Sequence, residues 1–116
     1  MKIYVYKNCD ACRKAVKWLR ARGLDFEELP IREQPPAKDE LKRMCDAMGG
    51  DLRRLFNTSG RDYRELGLKE RVPEMDFSEA ADLLMGNGNL VKRPFLVGAG
   101  VCRLGFKESE WEQAFG

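Results

Sequence analysis

Lys2-Ile3-Tyr4-Val5-Tyr6-Lys7-Asn8-Cys9-Asp10-Ala11-Cys12-Arg13-Lys14-Ala15-Val16-Lys17-Trp18-Leu19 is the stretch on which the fold turns. Residues 2 to 6 alternate with β-branched and aromatic character, and Lys7-Asn8 break the alternation, the mark of a short strand feeding a loop. A helix follows at once. From Ala11 to Arg22, Ala11, Ala15 and Trp18 fall beside Cys12, Val16 and Leu19 on one face, while Arg13, Lys14, Lys17 and Arg20 take the other. Gly23 is the expected stop. Asp25 to Ile31 supplies a second short apolar stretch, and the order strand, helix, strand predicts a parallel pair joined by a right-handed crossover.

Beyond this unit, Pro35-Pro36 opens a helix in which Leu41, Met44, Cys45 and Met48 recur at i, i+3, i+4 and i+7, closed by Gly49-Gly50. Residues 51 to 75 read as short helical turns around Leu52, Leu55, Phe56, Tyr63, Leu66 and Leu68, interrupted by Asn57-Thr58-Ser59-Gly60. Asp76 with Glu79 forms a capping box for a helix through about Met85, ended by Gly86-Asn87-Gly88-Asn89. After Lys92-Arg93-Pro94 come Phe95-Leu96-Val97, a Gly98-Ala99-Gly100 turn and Val101-Cys102-Arg103-Leu104. These predict a β-hairpin with a three-residue glycine-containing loop. Trp111, Ala114 and Phe115 mark a last amphipathic helix. With no repeat, low-complexity tract or linker, residues 1–116 read as a single α/β domain with a four-stranded mixed sheet flanked by helices.

Composition narrows the function. The chain is 43% hydrophobic and 34% charged, and 21 Lys and Arg against 19 Asp and Glu leave a formal net charge of +2. That balance gives no polyelectrolyte argument for direct nucleic acid binding. Histidine is absent, which excludes a Ser-His-Asp or Cys-His couple, a His-ligated metal and a His proton shuttle. Met1 to Lys7 is too short and polar for a signal peptide, and no apolar run approaches the roughly 20 residues of a membrane helix. The expectation is therefore a cytoplasmic protein without membrane contact. In that reducing compartment a Cys-x-x-Cys pair is catalytic, redox-sensing or metal-binding rather than a structural staple.

Cys9-Asp10-Ala11-Cys12 falls at the strand-to-helix junction, where Cys9 meets the unpaired N–H groups and positive dipole end of the helix. A helix N-terminus favours a thiolate, and Arg13, Lys14 and Lys7 add nearby positive charge. Cys12, three residues on, is placed to attack a mixed disulfide formed on Cys9. The reading is Cys9 as attacking thiolate and Cys12 as resolving thiol. A zinc half-site is the rival, but Cys45 and Cys102 do not form a second pair at ligand spacing, so no metal is assigned. Cys45 reads as core and Cys102 as a small strand residue. Pro94 begins a strand, where its missing donor is tolerated. A cis Arg93-Pro94 bond would let the backbone beside Pro94 approach the Cys9 sulfur, and a trans bond would merely start the strand. The residues alone leave both open.

Tyr4 through Lys14 with its Cys-x-x-Cys-Arg-Lys run, Pro35-Pro36, Asn57-Thr58-Ser59-Gly60, Tyr63-Arg64-Glu65-Leu66-Gly67-Leu68, Lys92-Arg93-Pro94 and Gly105-Phe106 together resemble the arsenate reductase (ArsC) and Spx family. The resemblance implies a thioredoxin-like, glutaredoxin-related fold, a helical insertion between strands 2 and 3 at about residues 35–90, and a cis Pro94. In the glutathione- and glutaredoxin-dependent arsenate reductases of this family, one cysteine attacks arsenate and three arginines hold the oxyanion. Cys9 matches the nucleophile and Arg93 the arginine before the proline. The other two positions fall near Asn57 and Phe106, with Arg103 a displaced candidate. A tetrahedral oxyanion needs several charge-assisted donors, so these departures count against arsenate turnover. Cys12 matches the dithiol of Spx-type regulators, which bind the RNA polymerase α subunit, whereas Asn57 to Leu68 is more similar to an uncharacterised reductase-like branch. The resulting expectation is a monomeric thiol-disulfide oxidoreductase with Cys9 and Cys12 catalytic and Arg93, Pro94 and Arg13 at the substrate. It needs no cofactor, with glutathione as co-substrate and glutathione or glutaredoxin as partner. The alternatives are a redox-switched regulator, and an arsenate reductase using Arg64 or Arg103 in place of the missing pair.

Overall fold

The computed structural model describes residues 1–116. The elements are β1 (Lys2–Val5), α1 (Asp10–Ala21), β2 (Glu27–Pro30), α2 (Lys38–Ala47), α3 (Arg61–Glu65), α4 (Leu68–Arg71), α5 (Phe77–Gly86), β3 (Phe95–Gly98), β4 (Val101–Leu104) and α6 (Glu108–Phe115). Short 3-10 turns at Leu52–Leu55, Val72–Glu74 and Gly88–Leu90 join the middle helices. No helix is long and apolar enough to cross a membrane.

Alternation along β1 sends Ile3 and Val5 to one face of the sheet and Tyr4 to the other, and all three are buried. A strand buried on both faces belongs inside a sheet. The order is β2-β1-β3-β4, with β1 parallel to β2 and antiparallel to β3, and β3 antiparallel to β4, which is the expected four-stranded mixed sheet. On one face Ile3, Val5 and Leu96 pack against Cys12, Ala15, Val16 and Leu19 of α1 and Trp111 of α6. On the other, Tyr4, Phe95, Val97 and Leu104 pack against Leu41, Met44 and Cys45 of α2 and Ala80, Ala81 and Leu84 of α5. The edge strand β2 carries exposed Glu27, Glu28 and Pro30, residues that discourage pairing with another chain.

Several boundaries move. α1 begins at Asp10 rather than Ala11 because Cys9 caps it. β1 ends at Val5, and β2 is shorter than residues 25–31, although Ile31 N–H still donates to the Val5 carbonyl at 2.9 Å. The hairpin loop has two residues, not three: Gly98 pairs with Val101, leaving Ala99 (φ 53°) and Gly100 (φ 77°) as the turn. Positive φ at both central residues is what a type I′ turn demands. The box at α5 is half closed, since Asp76 Oδ1 accepts the Glu79 N–H at 2.9 Å but the Glu79 carboxylate makes no return bond.

Two ties hold the segment between β2 and β3 against the sheet. Glu40, 5% exposed, accepts the Tyr4 hydroxyl at 2.6 Å and the Ala37 N–H at 3.0 Å on Oε1, and pairs with Lys2 Nζ at 3.4 Å through Oε2. Farther along, Phe56 and Val91 form an isolated antiparallel bridge, flanked by Lys92 N–H to the Leu55 carbonyl (2.9 Å) and Asn57 N–H to the Leu90 carbonyl (2.7 Å). This bridge brings the Arg53–Thr58 stretch beside Lys92 and Arg93.

Candidate redox site

Cys9 is extended (φ −105°, ψ 114°), so its side chain turns back over the first turn of α1 and Sγ accepts the Cys12 N–H at 3.2 Å. Its own N–H donates to the Tyr6 carbonyl at 3.1 Å, fixing the loop between β1 and α1. Cys9 is partly exposed, Cys12 is 2% exposed, and both are free thiols. Burial pushes the Cys12 thiol up to about 12, reinforced by the Cys9 sulfur beside it, while the Tyr6 backbone and the Arg93 charge pull weakly the other way. Cys12 is therefore protonated at neutral pH. With no histidine in the chain, no imidazole stands by to take its proton.

The neighbouring cations are divided. Asp10, inside the motif, pairs with Lys14 at 3.1 Å and Arg13 at 3.7 Å, and these two hold its carboxyl below the usual range. Arg13 Nη1 also donates to the Lys7 carbonyl at 2.9 Å. Arg13 lines, with Cys12, Val5, Val16 and Lys17, a cleft of about 380 Å³ that Arg93 does not reach.

Arg93 sits elsewhere. The Arg93-Pro94 bond is cis, as the resemblance implies, and the buried Pro94 accepts the Gly105 N–H at 3.0 Å on its carbonyl. The Arg93 guanidinium lies over the Tyr6 ring at 5.1 Å, and Arg32 lies over the same ring at 5.0 Å. The Tyr6 hydroxyl accepts from Asn8 Nδ2 at 3.3 Å and Arg32 Nη1 at 3.0 Å, and both bonds hold its ionisation below the ordinary phenol value. Arg93 Nη1 is buried without any hydrogen-bond partner. An unsatisfied buried donor costs on the order of 1–3 kcal/mol, so this N–H is suited to donate to an acceptor entering beside it.

Two clefts meet at Arg93. One, about 470 Å³, starts at Ala11 in the first turn of α1 and is lined by Arg53, Arg54, Lys92, Arg93 and Lys107. The other, about 330 Å³, holds Arg32, Arg61 and Arg93 with Tyr6 and Asn57. The substitutes named from sequence do not join them: Arg103 is spent on the Cys102 carbonyl (2.8 Å) and the Glu110 carbonyl (3.3 Å), and exposed Arg64 lines neither. Asn57 donates to the Asn89 carbonyl at 3.4 Å, and Phe106 packs edge-on to Trp111 with ring centroids 5.0 Å apart. Sequence reasoning missed Tyr6, Arg32, Arg53, Arg54, Arg61, Lys92 and Lys107. The only sequence signal was the basic doublets Arg53-Arg54 and Lys92-Arg93, which by themselves look like solvated surface. Cys45 is buried at 4% exposure and Cys102 half-buried, and burial pushes both thiols up. No group of three or more Cys, Asp or Glu side chains converges to hold a metal ion.

Known proteins are similar to this chain along almost its whole length. The uncharacterized protein YusI of Bacillus subtilis (strain 168) is 46% identical over 110 residues, covering 95% of this chain and 93% of its own. The global transcriptional regulator Spx of Streptococcus pyogenes serotype M1 is 28% identical over 108 residues, covering 93% and 79%. Among solved structures, a possible arsenate reductase from Streptococcus mutans UA159 superposes with a TM-score of 0.86 at 34% identity, covering 96% of each chain. The mixed sheet with flanking helices is thus the thioredoxin-like arrangement of these neighbours. The model of the ArsC family matches residues 4–114, from the strand before Cys9 to the last helix, and the chain belongs to the ArsC family.

Proposed function

We propose that the protein is a cytoplasmic thiol-disulfide oxidoreductase that uses Cys9 as nucleophile and Cys12 as resolving thiol. The observation that carries this reading is Cys9 capping α1, its sulfur on the Cys12 N–H at 3.2 Å, with Arg93 close enough for its charge to act on the Cys12 thiol. In the first step the Cys9 thiolate attacks one sulfur of a substrate disulfide. That S–S bond breaks, and the other half leaves as a thiolate that takes a proton from water. In the second, Cys12 loses its proton to solvent and attacks the Cys9 sulfur, expelling the bound thiol. The substrate gains two electrons and the protein closes a Cys9-Cys12 disulfide. Two molecules of a thiol such as glutathione, or reduced glutaredoxin, then return the pair to dithiol.

Arg93 serves as the anchor for an anionic group of the substrate thiol, supplying the charge-assisted donor that no protein acceptor occupies. Arsenate fits less well, because Asn57 and Phe106 stand at two of the three arginine positions and Arg103 is engaged by carbonyls. The test is reduction of a glutathione mixed disulfide with glutathione as the sole added reductant, read above the uncatalysed rate. Turnover by the native chain and none by Cys9→Ser is expected, and no turnover by folded native protein would sink the enzyme reading.

A second reading draws on the 28% identity to Spx: a redox switch that changes contact with the RNA polymerase α subunit. Pull-down from lysate with oxidised and reduced protein separates the two. Polymerase captured in only one redox state favours the regulator.

A further inference from the structure

The run Gly86-Asn87-Gly88-Asn89, which ends α5, carries a reactive amide that the thiol chemistry does not use. Asn87 is the one asparagine of the chain followed by glycine, since Asn8, Asn57 and Asn89 precede Cys9, Thr58 and Leu90. Glycine has no Cβ, so the Gly88 nitrogen is little shielded from the side-chain amide before it. In a flexible chain that nitrogen attacks the Asn87 Cγ. A C–N bond forms, the side-chain nitrogen leaves as ammonia with the Gly88 amide proton, and water then opens the cyclic imide at either carbonyl. The product is aspartate or isoaspartate, with no change in oxidation state.

The fold opposes this step. Every polar group of Asn87 is engaged: its N–H donates to the Leu84 carbonyl (3.4 Å), its carbonyl accepts the Leu90 N–H (3.0 Å), its Oδ1 accepts the Asn89 N–H (3.0 Å), and its Nδ2 donates to Asp62 Oδ2 (2.9 Å). The Oδ1 bond holds the side chain in a local turn, and the Nδ2 bond ties it to α3. Gly88 is buried against the Ile31 carbonyl and the Arg32 Cα, so its nitrogen swings toward Cγ only if the backbone leaves that packing. Neighbouring residues fasten the same loop again. Asn89 Nδ2 donates to Asp62 Oδ2 at 3.4 Å, the Asn89 carbonyl accepts Asn57 Nδ2 at 3.4 Å, and the Leu90 carbonyl accepts the Asn57 N–H at 2.7 Å.

We infer that Asn87 is a modification site that reacts only when the loop over residues 86–90 opens, and that its deamidation keeps the loop from closing again. The product carboxylate would stand where Nδ2 now lies, 2.9 Å from Asp62 Oδ2. Two carboxylates that close disfavour each other's ionised form, so they must separate or share a proton. Asp62 loses the shorter of its two amide donors, and the tie between α3 and the turn at Gly88–Leu90 goes with it. Asp62 and Asn89 line the cleft of about 330 Å³ that also holds Arg61 and Arg93, so loosening this tie reaches that cleft. A transient opening is thereby recorded as a lasting covalent change. The reaction needs water alone and stands apart from whatever Cys9 attacks.

The experiment incubates the full-length protein and a synthetic peptide of residues 82–92 in the same mildly alkaline buffer and follows Asn87 by peptide mapping, with Asn89 as the internal control. The peptide should deamidate at Asn87 roughly tenfold or more faster than the folded chain, and Asn89 should stay intact in both. Urea below the main unfolding transition should speed the reaction in the full chain before tryptophan fluorescence changes, because a loop opens at lower cost than the whole domain. Asp62→Ala, which removes the Nδ2 acceptor, should speed it without urea. Asn87→Asp supplies the product directly and should lower the urea midpoint. Adding Asp62→Asn should restore most of that loss, since a carboxylate then faces an amide again. Equal rates in peptide and chain, a rate that rises only with global unfolding, or no acceleration in folded Asp62→Ala would overturn the protection. An Asn87→Asp midpoint that is unchanged, or not rescued by Asp62→Asn, would overturn the consequence. If circular dichroism shows Asp62→Ala unfolded, the urea series and the paired variants decide.

Discussion

A thiol held near pH 12 by burial is almost wholly protonated at neutral pH, and its thiolate fraction rises about tenfold with each pH unit below that value. In a mixed disulfide the Cys9 thiol no longer raises Cys12 but burial, the largest cause, remains, so closure of the Cys9-Cys12 disulfide should accelerate continuously between about pH 6 and pH 9, followed by acid quench and mass spectrometry. A plateau inside that window would mean an ordinary thiol. Cys12→Ser should stop the cycle with the substrate thiol still on Cys9, visible as an added mass. Glu40 gives a pH dependence of the opposite kind. Burial alone would raise its carboxyl, but the bonds from Tyr4 and Ala37 and the Lys2 charge outweigh it and hold the folded value below the ordinary one. Its contribution is thus present above the unfolded carboxyl pKa, about 4.3, and is lost as pH falls through the depressed folded value. Thermal denaturation should show stability declining below that point, and Glu40→Gln should flatten the decline while costing about 1–3 kcal/mol at neutral pH. At this scale Cys9 and Cys12 are legible because a strand end and a helix start are local signals, whereas Arg93 is singled out only by the family resemblance. The Tyr6–Arg93 stack joins residues far apart in the chain and left no such mark.

At the scale of elements, the hairpin shows how one glycine misled. The glycine spacing puts Gly98 in the turn, yet it pairs with Val101 at φ 118°, and a Cβ there would stand 2.9 Å from the Met1 Cα. Its glycine serves the close approach of the N-terminus. The residue strained by the turn is Ala99, a non-glycine at φ 53°. Ala99→Asn, whose side chain tolerates the left-handed region, should stabilise the protein by about 0.5–1 kcal/mol in chemical denaturation. Gly88 has the reverse sensitivity: an added Cβ would collide with the Ile31 carbonyl and lie 2.7 Å from the Arg32 Cα. Backbone cannot give way cheaply, so Gly88→Ala should destabilise by about 1–3 kcal/mol in the same assay. The helix positions themselves were readable from apolar spacing. Which glycine was needed for a turn and which for a close approach was not, because that depends on what the fold brings alongside.

Over the whole molecule, the two hydrophobic clusters lie on opposite faces of one sheet and share β1 and β3. Trp18 and Trp111 both belong to the α1–α6 face, whereas α2 and α5 lie on the other. Tryptophan fluorescence and far-ultraviolet circular dichroism should therefore report one coincident unfolding transition. Separate midpoints would mean that the helices between β2 and β3 unfold alone. By itself the sequence determined the parallel β1–α1–β2 unit, the mixed sheet and the dithiol at a helix start, all of which follow from periodicity and neighbours a few residues apart. Only the tertiary structure decided which cations gather with Arg93 in the cleft at Ala11. Arg13, beside the motif, is drawn to Asp10 and the Lys7 carbonyl, while Arg53, Arg54 and Lys107 come from distant elements to line one cleft with Arg93. Charge acts through space, and distance in space is set by the packing of the sheet and its bridge at Phe56–Val91, which no local pattern encodes.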